Sequence, residues 1–317
     1  MKKTLIASAI AATLAGNAMA ADVTSEAADL AAKLDSMPTF YGAVQFAHVS
    51  TDDSTNTDHE LKDNGSTLGF LHEHAISEGV TAFAKAEFEF SADDKRTSTG
   101  INKIDEAYIG LKGDFGSVQV GSDETVYDWV DMTDIDEIVG FGATVKLDQG
   151  DNLQYVSPEI AEGITLGLTA PIDSDTNFGG ALAAKYAMDN LQVALAYALG
   201  RDAEPGFAKA EDTLGLGVHY DIDDLTLVAQ YETTKDTQDA WGLLGVYAMG
   251  QNSFALGYQM ISFDASTLED QTDIYVQAMH NLSDNAYLYL EYLMQTDLNG
   301  AKDSDLDTLA IGAAYLF

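Results

Sequence analysis

DEAYIGLKGDFGSVQVGSDETVYDWVDMTDIDEIVGFGATVKLDQGDNLQYVSP, residues 105 to 158, holds three short runs of alternating polar and apolar residues and one long interruption. AYIGLKG and GSVQVGS flank a tight turn at Asp114 and Phe115, and NLQYVSP takes up the alternation again. From 123 to 151 the apolar residues keep no period of two. That segment carries Asp123, Glu124, Asp128, Asp131, Asp134, Asp136 and Glu137 against one cation, Lys146. An insertion this long inside a compact fold is either functional or disordered. Tyr127, Trp129, Met132, Ile135, Val139 and Phe141 give it apolar groups to bury, so the expectation is a loop packed against something.

Outward from this stretch the period of two continues in both directions. Sixteen alternating runs follow one another from TFYGAVQFAHVS at residue 39 to DTLAIGAAYLF at residue 317. An even number of segments of about 10 residues with weak alternation is the pattern of an antiparallel transmembrane barrel. The connections alternate too. Short turns such as DF, AEG, DN and DD separate longer acidic loops at 51–65, 92–104, 200–211 and 296–306, and short turns are expected on the periplasmic side with long loops outside.

Alternation also sorts the side chains. In VTAFAKAEFEF, Ala82, Ala84, Ala86, Phe88 and Phe90 share one face, and Thr81, Phe83, Lys85, Glu87 and Glu89 share the other. Charge at the bilayer midplane is costly, so the charged face should line water. By the same parity Thr67, Lys112, Lys185, Glu232 and Glu291 are expected on the lumen wall, and Leu309, Ile311, Tyr315 and Phe317 on the lipid face. A ring of sixteen strands is too wide for its own side chains to fill. Aromatic residues near strand ends, among them Tyr155, Tyr231 and Tyr258, suit the membrane interfaces.

The chain begins with Lys2, Lys3, an apolar run from Leu5 to Leu14 and Ala18-Met19-Ala20, which reads as a secretory signal over residues 1–20. Residues 21–38 carry the one convincing helical pattern, with Ala27, Leu30, Ala31 and Leu34 on one side and Pro38 as its stop. They are expected as a short periplasmic lead-in to a barrel domain over 39–317. No later segment approaches the roughly 18 apolar residues of a spanning helix.

The formal net charge is −37, which makes nucleic acid an implausible partner. With no cysteine there is neither a disulfide framework nor a thiolate metal site. His72 and His74 in LHEHA lie two apart on one strand face without an evident third ligand, and DSDTNFG at 173–179 fails the calcium-loop spacing. No metal site and no cofactor are assigned. The six histidines are scattered and no Gly-framed serine is present, so no enzyme activity is expected.

AYIGLKGDFGSVQVG followed by YDWVDMTDIDEIVGFG and NLQYVSP resembles the trimeric porins of Gram-negative outer membranes, and the likeness extends from FYGAVQF to the terminal AIGAAYLF. The resemblance implies an outer-membrane location, a homotrimer, passive diffusion of ions and small hydrophilic solutes, and a third loop folded inward to narrow the channel. It implies Phe317 as an assembly signal, and a surface in contact with lipid and lipopolysaccharide. Related porins often carry Arg where this chain has Thr67, Asp105 and Ser122, while its two arginines, Arg96 and Arg201, fall in expected outer loops. Lys85, Lys112 and Lys185 are too few to balance the acids, so cation preference is expected. About half of the loop carboxylates are expected to cap the loop's own backbone instead. A substrate-selective channel and an adhesin or structural barrel are the alternatives. An aromatic track with paired ionic groups would mark the first, and no clear one stands out in the sequence.

Overall fold

The computed structural model describes residues 37–93, 100–133, 135–142, 144–173, 176–203 and 209–317. The expected leader, all but the last two residues of the helical pattern, Arg96 and Asp134 lie outside these residues.

Among the described residues, strands follow in the order β1 (Thr39–Asp52), β2 (Thr57–Asp63), β3 (Thr67–Ser77), β4 (Val80–Phe90), β5 (Ile101–Gly113), β6 (Gly116–Ser122), β7 (Asn152–Val156) and β8 (Ile164–Pro171). They continue as β9 (Gly180–Met188), β10 (Leu191–Leu199), β11 (Thr213–Ile222), β12 (Leu225–Thr234), β13 (Gln238–Met249), β14 (Asn252–Phe263), β15 (Gln271–Ser283), β16 (Ala286–Thr296) and β17 (Leu306–Leu316). Each pairs antiparallel with its neighbour, and β17 returns to β1, so the sheet closes. At the seam, Gly42 and Phe317 exchange both backbone hydrogen bonds, at 2.9 and 3.0 Å. Phe317, the residue expected as an assembly signal, therefore completes the ring.

The seventeen segments occupy sixteen positions in the wall, because β2 and β3 share one edge of β1. Phe46 pairs with Asp63 and Ala43 with Thr67, so the β2–β3 side carries one extra residue, a bulge. Asp63 satisfies the bulge by accepting the N–H groups of Gly65 at 3.1 Å and Ser66 at 3.0 Å. The expected outer loop 51–65 is thus largely a strand extension. TDHELKD carries polar residues on both faces, with Leu61 its one apolar side chain, and so shows no alternation.

The two-residue turns at 114–115, 189–190, 223–224 and 284–285 lie at one end of the barrel, and the loop over 123–151 at the other. One connection departs from the expected alternation. Residues 235–237 join β12 to β13 in three residues at the long-loop end.

Parity divides the wall as alternation requires. In β10, Leu195, Tyr197 and Leu199 are exposed on the outside while Ala194, Ala196 and Ala198 are buried on the inside. Exposed aromatic residues form two bands on the outer surface. Tyr155, Tyr220, Tyr247, Phe254 and Tyr315 lie near the short turns, and Tyr197, Tyr231, Trp241 and Tyr258 toward the loops. Apolar surface between aromatic girdles is what a bilayer solvates. His72 and His74 stack 6.4 Å apart and pair with Ala84 and Ala82 on this outer face, away from the lumen acids.

Leu256, 63% exposed between the two bands, reports the lipid face. Leu256→Arg is expected to destabilise the barrel in vesicles by about 2–4 kcal/mol in a denaturant titration. Thr165→Arg, on the inner face of β8, should cost less than about 1 kcal/mol, and equal costs at both sites would contradict the assignment of faces.

Candidate functional site

The segment over 123–151 enters the barrel instead of standing above it. Its ends are tied by Asp123 N–H donating to Gln149 O at 2.9 Å. It then forms a 3₁₀ turn, Val126–Val130, that sequence periodicity did not reveal because one turn is too short to show a period. Thr125 and Asp128 cap that turn reciprocally: Tyr127 N–H donates to Thr125 Oγ1 at 3.2 Å, and Thr125 N–H to Asp128 Oδ2 at 2.7 Å.

Small residues on the wall make room for it. Val126, Tyr127 and Val130 are buried against Ala181, Ala183, Ala194, Ala196 and Ala198. Phe141 stacks on Tyr275, centroids 5.0 Å apart, over Gly257, where an added Cβ would come within 2.6 Å of the ring. Ile138 and Val139 reach a further cluster of Ala47, Val49, Tyr289 and Ala310.

Polar anchors hold the rest. Glu232 accepts the Tyr127 hydroxyl at 2.9 Å, and the Thr144 N–H and hydroxyl at 2.7 and 3.0 Å, so one carboxylate ties both limbs of the loop. Glu291 accepts the N–H groups of Glu137 at 2.7 Å and Ile138 at 3.1 Å, together with Tyr275 Oη at 2.8 Å and Gln277 Nε2 at 3.0 Å. Gln259 and Gln277 donate to Gly142 O at 2.5 Å and Ile135 O at 3.0 Å. Glu232 and Glu291 point inward as parity requires, but they are 2% and 0% exposed and do not line water. The expectation that they belong to the lumen wall is corrected: irregular backbone carries unpaired N–H groups, and these carboxylates are where its donors go. A sequence signal exists in retrospect, a lone Glu among apolar and aromatic neighbours in VAQYETT and YLEYLM.

The acids of the loop divide by use. Asp128 caps the turn, Asp131 accepts the Thr133 hydroxyl at 3.2 Å, and Asp136 accepts Gly140 N–H at 2.6 Å. Glu124 is exposed, Asp123 accepts from Gln119 Nε2, and Glu137 accepts the Tyr287 hydroxyl at 2.9 Å. Burial, with Glu291 beside it, pushes the Glu137 carboxyl up to about 7. Burial pushes Asp123 up to about 6 against the pull of its Gln119 hydrogen bond.

β12, which anchors the loop, lies eight positions from β4 in the ring of sixteen, so the loop faces the inner surface of β3 to β5 across the lumen. Thr67 stands there, half-buried, on the inner face. Lys85 is bound to Glu106 and lies 3.9 Å from Glu87. Glu87 points inward as parity requires but is 1% exposed, so the expectation that it lines water is corrected as well: it is packed into the wall beside Lys85. Lys103 pairs with Glu89 at 2.8 Å, and Lys112 with Glu73 at 2.6 Å. Lys185 makes no ion pair among the described residues. Asp105 is the extra residue of a bulge, since Glu87 pairs with Glu106 and Phe88 with Ile104. Ser122 pairs with Ala107, of outward parity. Among the described residues no three His, Asp or Glu side chains are grouped to hold a metal ion.

Removing the Glu291 carboxylate should loosen the tip of the loop while leaving the ring closed. In Glu291→Ala the amides of Glu137 and Ile138 are expected to exchange with solvent about ten- to a hundredfold faster, matching the roughly 1.5–3 kcal/mol of a hydrogen bond to a charged group. Unchanged exchange at both amides would show that Glu291 is not the anchor.

Comparison with known proteins agrees with this geometry. A family profile described as Gram-negative porin matches residues 7–300. A monosaccharide porin of a Halomonas species is 30% identical over 385 residues, with all of both chains covered. Among solved structures, an anion-selective porin from Comamonas acidovorans aligns with a TM-score of 0.75 at 17% identity, over 89% of this chain and 99% of that one. OmpT of Vibrio cholerae, folded in vitro and in its trimer form, aligns with a TM-score of 0.68 at 16% identity, over 89% of this chain and 99% of that one. A closed antiparallel ring with one loop laid inside it, matched along nearly its whole length by that profile, makes this chain a member of the Gram-negative porin family of outer-membrane channels.

Proposed function

We propose that this porin passes ions and small hydrophilic solutes by passive diffusion, with a preference for cations. The observation that carries the preference is the pairing of the wall lysines. Lys85, Lys103 and Lys112 each lie against a carboxylate, so the surface opposite the acidic loop offers it no cluster of free positive charge. Carboxylates inside low-dielectric walls concentrate cations and repel anions. The anion preference of the Comamonas porin does not argue otherwise, because the likeness there extends to the fold and selectivity resides in side chains.

The trimer form of the Vibrio cholerae neighbour supports assembly as a homotrimer. Sugars are a second class of solute, supported by the name of the Halomonas relative, a monosaccharide porin.

Purified protein in a planar bilayer under a potassium chloride gradient tests the preference. The reversal potential should take the sign of a larger potassium current, and a larger chloride current would overturn the proposal. Acid should weaken the preference. Glu137 and Asp123 have raised values, so as pH falls they take up protons near 7 and then near 6, and each uptake removes a negative charge. The reversal potential is therefore expected to shrink between pH 8 and pH 5, and a value that does not move would contradict this placement of charge. Strong salt should act in the same direction, because the screening length falls from about 8 Å at physiological ionic strength to about 3 Å at 1 M.

A further inference from the structure

The free wall of the lumen carries more than its ion pairs. Phe83 on β4 and Tyr41 on β1 lie over glycines of the next strand. An added Cβ would come within 2.3 Å of the Phe83 ring at Gly110, and within 2.5 Å of the Tyr41 ring at Gly69. With no side chain beneath them, both rings rest against the sheet. Tyr108 meets Phe83 edge to face, with centroids 6.1 Å apart and planes at 77°.

The register sets these rings among the ion pairs along the strands. From the short-turn end, β4 and β5 pair Thr81 with Lys112, Phe83 with Gly110, Lys85 with Tyr108, Glu87 with Glu106 and Glu89 with Lys103. Tyr41 joins through Gly69, which pairs with Glu87. The strip thus alternates a Lys112–Glu73 pair, the Phe83 ring, a Lys85–Glu106 pair with Tyr108 and Tyr41 beside it, and a Lys103–Glu89 pair. The ammonium groups of Lys112 and Lys85 lie 5.9 and 5.8 Å from the Phe83 and Tyr41 centroids, at the limit of a cation–π contact.

We propose that this strip is a track for small sugars. A pyranose has an apolar C–H face and a rim of hydroxyls that both donate and accept. Aromatic rings lying against the wall suit the face. The exposed Lys112–Glu73 and Lys103–Glu89 pairs each supply donors and acceptors to the rim, while the Lys85–Glu106 pair is largely buried between them. Such a site sets flat apolar faces among placed polar groups, and its paired charges do not favour ions of either sign. The aromatic track that marks a selective channel is therefore present. It was hidden because its members come from β1, β4 and β5 and meet only through register. The inference rests on the barrel being an open conduit.

Single-channel current in planar bilayers, with glucose as the probe, tests it. After correction for bulk conductivity, glucose is expected to lower the current of the native chain saturably. In Phe83→Ala the half-saturating concentration should rise about five- to tenfold, the scale of one lost ring contact. Phe83→Leu keeps an apolar side chain of similar bulk without the flat face and should behave like Phe83→Ala, so the test does not depend on either variant assembling. Each variant's sugar-free current is its own reference. Current that follows bulk conductivity alone, or a glucose response unchanged in either variant, would overturn the track and leave the conduit standing. A membrane that stays silent with the native chain would overturn both.

Discussion

Backbone N–H and C=O groups in hydrocarbon have no water to bond, so a sheet in lipid must pair its last strand with its first. In this chain the paired backbones of Gly42 and Phe317 meet that demand. Once the ring is closed, the period of two leaves each strand residue only two environments. Large apolar side chains such as Leu195 and Leu256 go to the membrane, and the other parity holds alanines, glycines, glutamines and charged groups, with larger residues such as Tyr275 and Leu293 where the loop covers them. Sixteen strands enclose more volume than those inward residues fill, and the loop over 123–151 occupies part of what remains.

The loop brings the same backbone problem inside. Irregular chain against a wall has N–H groups that the sheet cannot satisfy, and Glu232 and Glu291 accept them from below while Gln259 and Gln277 cover carbonyls. The wall is shaped to match, with alanines under the first turn and Gly257 under Phe141. Fully buried carboxylates are stabilising only when several donors converge on them, as they do here. The loop's place is therefore fixed from β8 round through β17 to β1, which leaves β3 to β5 as the bare side of the passage.

Period two made the barrel legible in the sequence, and the loop announced itself by breaking that period. The strand Thr57–Asp63 was not legible, because above the membrane neither face is selected for apolar residues. Parity said which way Glu232 and Glu291 point, yet could not say that a loop more than a hundred residues earlier in the chain would cover them. Nor could it show that Lys85 and Lys112 would be taken up by Glu106 and Glu73, since those pairings cross strands. What periodicity supplies is the face of a residue; what covers that face depends on register and on the path of the loop.

The account turns on the loop lying in the path of the current. The chain has no cysteine, so a single one at Asp136 can be modified alone. Single-channel current through Asp136→Cys, recorded before and after coupling of a positively charged methanethiosulfonate reagent, measures this directly. The account predicts a stepwise fall in current with a shift of the reversal potential toward chloride; a current and reversal potential unchanged after confirmed coupling would contradict it.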